Sequence, residues 1–556
     1  MEGVQAVRRA GTGSHLNFEV GLWPKIGEPD LRSHRSGDFV DRRHLLMGLG
    51  GSALLAGLPV ATGQSAQGNW LKLESPNFTF FTPGEETKSR EELAVLEGFH
   101  ALLFRLMPRT SPSPLKLTVY NTRSRRDFEA TWPGVGGSVL GFYSARIEQI
   151  RAVAHSDRDM DRQRGVPRHA RALDSRAVLL HEYAHHHMRA NNRLAYPAWY
   201  TEGFAEFLST AEFGDKGVNV GKVTLERGAW IVDGDWMPIE PFLTKHPGEF
   251  SSGEEVAQFY AQAWLATHYL FATPERARGF DAYTRALLQG GDLLSAFEPS
   301  FGITPAQFDK ELWAYRRRPI QFWTLPDSKP VSENITSHRL NRSADDLLLP
   351  TSHLLALPSR EAAKDSVARV RELARKHPGD PYALQCQALA EVWYGDLAEA
   401  RKQIDALLPL DEANPDVHHL SGLCDLRAGR KAKDHDLLLR AQESFGRAHQ
   451  ISDTRPQTMY RYVESGLPIE GMTPHLLDVL VRAYKLAPQV DAIAMTTAQA
   501  LISQERYDEA ILVLQPLTAE LHGGDMPGIA RRLTEVAKNR ERTSFSFFGA
   551  AAIEGE

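Results

Sequence analysis

Cysteine is scarce. Two residues, Cys386 and Cys424, in a chain of 556 are too few for a disulfide-stapled scaffold. They read as two buried thiols, with a single bridge in an oxidising compartment as the alternative. No charge of one sign dominates: 64 Lys and Arg against 70 Asp and Glu leave a net −6. No long basic block occurs, so a nucleic-acid partner is not indicated. A G-x-S-x-G elbow and a P-loop are both missing. Gly48-x-Gly50-Gly51 does not follow a strand of a βαβ unit, which removes a dinucleotide reading. Long apolar runs are also missing, apart from Leu45 to Ala61. That stretch is about 17 residues, short for a membrane span, and it is softened by four glycines and Pro59.

The same run follows Arg42-Arg43 and leads into small residues near Ala61 to Ala66. It resembles a twin-arginine export signal, which implies a periplasmic or cell-envelope protein. An uncleaved N-terminal membrane anchor is the alternative, and membrane contact is expected only in that case. The residues ahead of it are polar, Gly-rich and aperiodic, and read as disordered. Hydrophobic content of 42% is ample for globular cores, and the length implies two to four domains.

What the chain does carry is Val178-Leu179-Leu180-His181-Glu182-Tyr183-Ala184-His185, an H-E-x-x-H motif. On a helix His181 and His185 share one face about a turn apart, where one Zn²⁺ can take both imidazoles. Glu182 lies beside them, placed to hold a water rather than the metal. Residue frequencies alone give such a motif in roughly one chain of this kind in twenty, so context decides its meaning. Asp174 and Ser175 can cap the helix, and Ala177 to Leu180 begin it with an apolar stretch. After the short turn 191–196, Pro197 opens a second helix, with Glu202 and Glu206 four apart on one face. Either carboxylate could be the third ligand by spacing.

H-E-x-x-H followed by Glu202-Gly203-Phe204-Ala205 resembles the gluzincin metallopeptidases, which include thermolysin and zinc aminopeptidases. The resemblance implies His181, His185 and Glu202 as metal ligands and Glu182 as catalytic base. It implies that Glu206 supports the first histidine from behind. The spacing here is about two residues shorter than in those relatives, which keeps Glu206 open as the ligand. Phe259-Tyr260-Ala261-Gln262-Ala263-Trp264 is similar to a gluzincin helix that begins with a catalytic tyrosine, which implies that Tyr260 steadies an oxyanion. The pattern from Trp70 to about Leu270 most resembles a bacterial peptidase-MA-like group (DUF1570-type). It includes Gly217 to Val223 and Asp235 to Glu240. No motif for gripping a free amino terminus occurs, which favours an endopeptidase over an aminopeptidase.

Several elements are expected around these motifs. Trp70 to Phe81 alternates like a strand, Lys88 to Met107 has helical spacing, and Leu115 to Tyr120 reads as a strand. Ser124 caps a short helix to Thr131, and Gly141 to Ala154 is strand-like. Arg151 to Arg171 is a charged loop or connector. A hairpin is expected near 217–232, then helices to about Phe322. Asp380-Pro381 and Asn414-Pro415 stand 34 apart, the tetratricopeptide period. Gly395 to Ala400 and Glu505 to Ala510 fit the turns within such repeats, and Lys431 to His435 reads as an insertion.

The expected organisation is α+β. A disordered N-terminus and signal (1–68) precede a metallopeptidase domain with a small sheet and active-site helices (69–325). A linker (326–344), an all-α tetratricopeptide-like solenoid (345–540) and a flexible tail (541–556) follow. The expected activity is Zn²⁺-dependent hydrolysis of a peptide or protein, with a protein partner on the repeats. A non-catalytic repeat scaffold with a structural or vestigial metal, and a zinc hydrolase of a non-peptide amide, are the alternatives.

Overall fold

A computed structural model describes residues 16–17, 67–107, 115–136, 139–155, 175–191, 196–518, 526–542, 545 and 547. The export-signal reading at Arg42 to Ala66, most of the charged segment 151–171 and the Asp174 cap lie outside the described residues.

A six-stranded mixed sheet forms the N-terminal half. Its order is Thr336–Asn341, Gln67–Glu74, Phe78–Pro83, Leu117–Thr122, Ile150–His155 and Gly141–Ala145. The three central strands run parallel, and antiparallel neighbours flank them. Period-two alternation divides the side chains between two faces. Leu71, Leu73, Val119, Ala152 and Ala154 join the core under helix Glu86–Leu106 and the H-E-x-x-H helix. Trp70, Tyr120 and Val153 face a second cluster, with Phe128 and with Leu348 of helix Arg342–Leu355. Ser124 caps helix Arg125–Thr131 by accepting from the Asp127 amide at 3.1 Å. A smaller sheet joins Glu212–Gly214, Gly217–Val220, Trp323–Leu325 and the two-residue strand Leu16–Asn17.

Five expectations are corrected here. The stretch Trp70 to Phe81 is two strands, because Ser75-Pro76-Asn77 turns the chain and the Ser75 amide donates to the Phe78 carbonyl at 3.1 Å. The hairpin spans 212–220, and Leu225–Asp233 is a helix capped by Thr224. The linker 326–344 contains Thr336–Asn341, an edge strand of the main sheet, and helix Arg342–Leu355 follows it directly. Leu16–Asn17, in the segment expected to be disordered, pairs parallel with Trp323–Thr324. In the tail, Phe547 packs its ring edge-on against Tyr460 with centroids 5.3 Å apart.

From Arg342 to Lys538 the described chain is a succession of helices, each packed on the next. The Asp-Pro and Asn-Pro signals mark helix starts as expected. Asp380 and Asn414 accept amide protons from Ala383 (3.0 Å) and Asp416 (2.9 Å), and the prolines fill the first helical position. The surplus around Lys431 is not an inserted loop. It lengthens two helices, Pro415–Ala432 and His435–Ile451, to 18 and 17 residues. Cys386 and Cys424 are both buried and unbridged. No helix among the described residues is long and apolar enough to cross a membrane.

Candidate metal centre

The H-E-x-x-H helix spans Ser175–Asn191 and packs on the second helix, Ala198–Ser209. The second helix is buried on almost every side, Thr201 excepted. Its apolar sequence, with Trp199, Phe204 and Phe207 at 0–2% exposure, explains that position, and it brings Glu202 and Glu206 into the interior with it. Gly203 sets the close approach of a third helix, Gly253–Phe271. A Cβ there would lie 2.3 Å from the Ala263 carbonyl oxygen and 2.3 Å from Thr267 Oγ1. The glycine of the E-G-F-A signature is therefore a packing requirement.

His181, His185 and Glu202 converge. The two Nε2 atoms are 3.0 Å apart, and each is 3.4 Å from Glu202 Oε2. Three tetrahedral donors at about 2.0–2.1 Å from an ion stand roughly 3.3–3.4 Å from one another. The donor triangle fits that spacing without rearrangement of the backbone, so these residues could hold a metal ion. The donor chemistry, two imidazoles and one carboxylate, suits the same kind of ion. Both histidines keep 15% of their side-chain surface exposed, while the Glu202 Oε2 corner of the triangle is buried.

Glu206 is not among the converging donors. Its Oε1 lies 3.6 Å from His181 Nδ1, on the far side of the ring from the triangle. It is instead gripped in a fork by Arg227, with Nε and Nη2 each 2.9 Å from a carboxylate oxygen. Arg227 comes from helix Leu225–Asp233 and is buried with its partner. Its guanidinium also stands over the Tyr260 ring, 5.4 Å from the centroid. Sequence reading missed Arg227. An arginine near a helix start carries no motif, and the only available signal was a buried carboxylate in need of a cation.

Tyr260 stands on helix Gly253–Phe271 with its ring 6.3 Å from that of His181. Burial, then the charges of Glu202, Glu206 and Glu182, push its phenol well above the ordinary range. It therefore remains a proton donor. Burial likewise raises Glu182, against the pull of His181 and His185. Strand Gly141–Ala145 packs against the motif helix beside Glu182. That strand comes close because Gly141 lacks a side chain: a Cβ would meet Val178 Cγ1 at 2.3 Å. Burial works against a proton on His181, but Glu202, Glu206 and Glu182 overcome it and raise the imidazole to about 9. His186 and His187, next along the motif helix, are pushed down by burial and stay neutral in the core.

The fold and this cluster define a mixed α/β chain with a helix-borne His, His, Glu group able to take a metal ion. The chain matches no known protein-family model, and no curated protein matches it.

Proposed function

We propose that this chain is an exported zinc peptidase of gluzincin type, with tetratricopeptide-like repeats at its C-terminus. The observation that carries the reading is the donor triangle His181, His185 and Glu202, with Glu182 one residue from the first ligand. Zn²⁺ at such a site supplies Lewis-acid polarisation of a carbonyl and a water acidified toward neutrality. His181, His185 and Glu202 would hold it. Glu182 takes the proton of the attacking water and returns it to the leaving amine. Tyr260 keeps its own proton and offers it as a hydrogen bond to the oxyanion. Glu206 orients His181 from behind, and Arg227 fixes Glu206.

The edge strand Gly141–Ala145 supports peptide as the substrate. It ends the main sheet beside Glu182, and an extended chain can add to such an edge by main-chain hydrogen bonds. The paired helices after Arg342, with their cap-then-proline starts, support a repeat array that takes a protein partner. The test is Glu182→Gln, assayed on an unstructured protein. Hydrolysis is expected to fall by about 10²–10⁴ with zinc still bound. Full activity in that variant would remove Glu182 from the mechanism.

A further inference from the structure

The hairpin that supplies the edge strand does not end in solvent. Strands Gly141–Ala145 and Ile150–His155 are joined by Arg146 to Gln149, closed by the Arg146 amide donating to the Gln149 carbonyl at 3.0 Å. The tip enters the C-terminal helices. Ala145, Ile147 and Ile150 pack against the core formed by helices Pro456–Glu470, Pro474–Leu486 and Asp491–Ser503. Glu148, with 2% of its side chain exposed, is held there from both oxygens. Arg461 Nε donates to Oε1 at 2.9 Å, and His419 Nε2 lies 2.9 Å from Oε2. Arg461 is itself fixed by Glu464 at 2.6 Å, and the other nitrogen of His419 by Thr458 Oγ1 at 3.1 Å. Burial alone would raise the Glu148 carboxyl, but Arg461 and His419 outweigh it and hold it at about 2. A cavity of about 550 Å³ flanks the tip, between Lys116, Tyr382, Asp416 and Arg455.

The same strand touches the H-E-x-x-H helix at two points. A Cβ at Gly141 would stand 3.3 Å from Glu182 Cγ, and the Tyr143 hydroxyl lies 3.2 Å from His186 Nδ1. Only two residues, Ser144 and Ala145, stand between Tyr143 and the start of the turn at Arg146, about 10 Å along the extended chain.

We infer that the helical repeats are part of the catalytic apparatus: Arg461 and His419 grip Glu148 and so hold the edge strand in register with Glu182 and the substrate. Glu148 and Arg461 are positioning residues in this arrangement. The inference rests on the peptidase reading for its kinetic part and on the fold alone for its structural part.

The test uses full-length, zinc-loaded protein with Glu148→Ala and the shape-keeping Glu148→Gln. Arg482→Ala, which opens an exposed pair with Asp453 at 3.3 Å, is the control. In Glu148→Ala, kcat on a quenched-fluorescence peptide is expected to fall about tenfold to a hundredfold, because sub-ångström placement is lost. Zinc stoichiometry stays at the wild-type level, and Glu148→Gln falls between. Hydrogen exchange at 141–155 speeds up by about tenfold or more, while 253–271 keeps its protection. Loss of protection at 141–155 with kcat intact overturns the positioning role. Unchanged protection in both variants, or protection lost throughout the chain in both, overturns the grip itself. Wild-type protein that cleaves nothing refutes the peptidase reading instead, and the exchange pattern still decides the grip.

Discussion

Replacing Arg227 by methionine removes the guanidinium that forks Glu206 and keeps most of the apolar stem. Glu206 is then a carboxylate at 5% exposure whose remaining cationic neighbour is the His181 imidazolium, 3.6 Å away. Breaking a buried pair from one side costs about 3–5 kcal/mol when the remaining charge is uncompensated, and the His181 imidazolium offsets part of that here. The cost should fall on the second helix, which carries Glu206 in its last turn. Its amides at 198–209 should open more readily by up to that free energy, read by native-state hydrogen exchange in metal-free protein. Arg227→Met combined with Glu206→Gln should recover most of the loss, since the buried carboxylate is then removed. The coupling in that double-mutant cycle should exceed about 2 kcal/mol. A single variant that costs less than about 1 kcal/mol, or a double variant no better than the single, would refute the account of Arg227 as the partner that makes a buried Glu206 tolerable.

Two further outcomes follow from the same geometry. His181 is raised to about 9 in the metal-free site, so at neutral pH it carries a proton that a metal must displace. Apparent zinc affinity should therefore rise about tenfold per pH unit from 6.5 toward 9 and flatten above, measured by chelator competition; a flat profile across that range contradicts it. Gly203→Ala places a methyl 2.3 Å from the Ala263 carbonyl oxygen, and the helix bearing Glu202 must shift. A cost of about 1–3 kcal/mol and weaker zinc binding are expected, and an unchanged melting temperature would show that the two helices have slack.

Much of the centre was legible because helical spacing is local. His181, Glu182 and His185 on one helix, and Glu202 after Pro197 on the next, follow from residue order alone. Glu202 over Glu206 did not follow, because the choice depends on how two helices are rotated against each other. The packing at Gly203 and the fork from Arg227 settle that rotation, and both involve residues more than 20 positions from Glu206 or on another helix. Helix starts in the C-terminal half were readable from capping residues followed by proline. The strand Thr336–Asn341 was not, because its polar sequence gives no alternation and its exposed residues gain order only by pairing with Gln67–Glu74. The hairpin tip at Glu148 was equally silent, since its partners Arg461 and His419 lie some 270 to 313 positions away.

The most direct measurement is the metal content of purified protein, wild type beside Glu202→Ala and Glu206→Ala. About one zinc per chain is expected in wild type, none in Glu202→Ala, and a bound but weaker ion, by roughly 10–100-fold, in Glu206→Ala. Wild-type protein that takes up no zinc, or Glu202→Ala that retains it while Glu206→Ala loses it, would contradict the assignment of the centre.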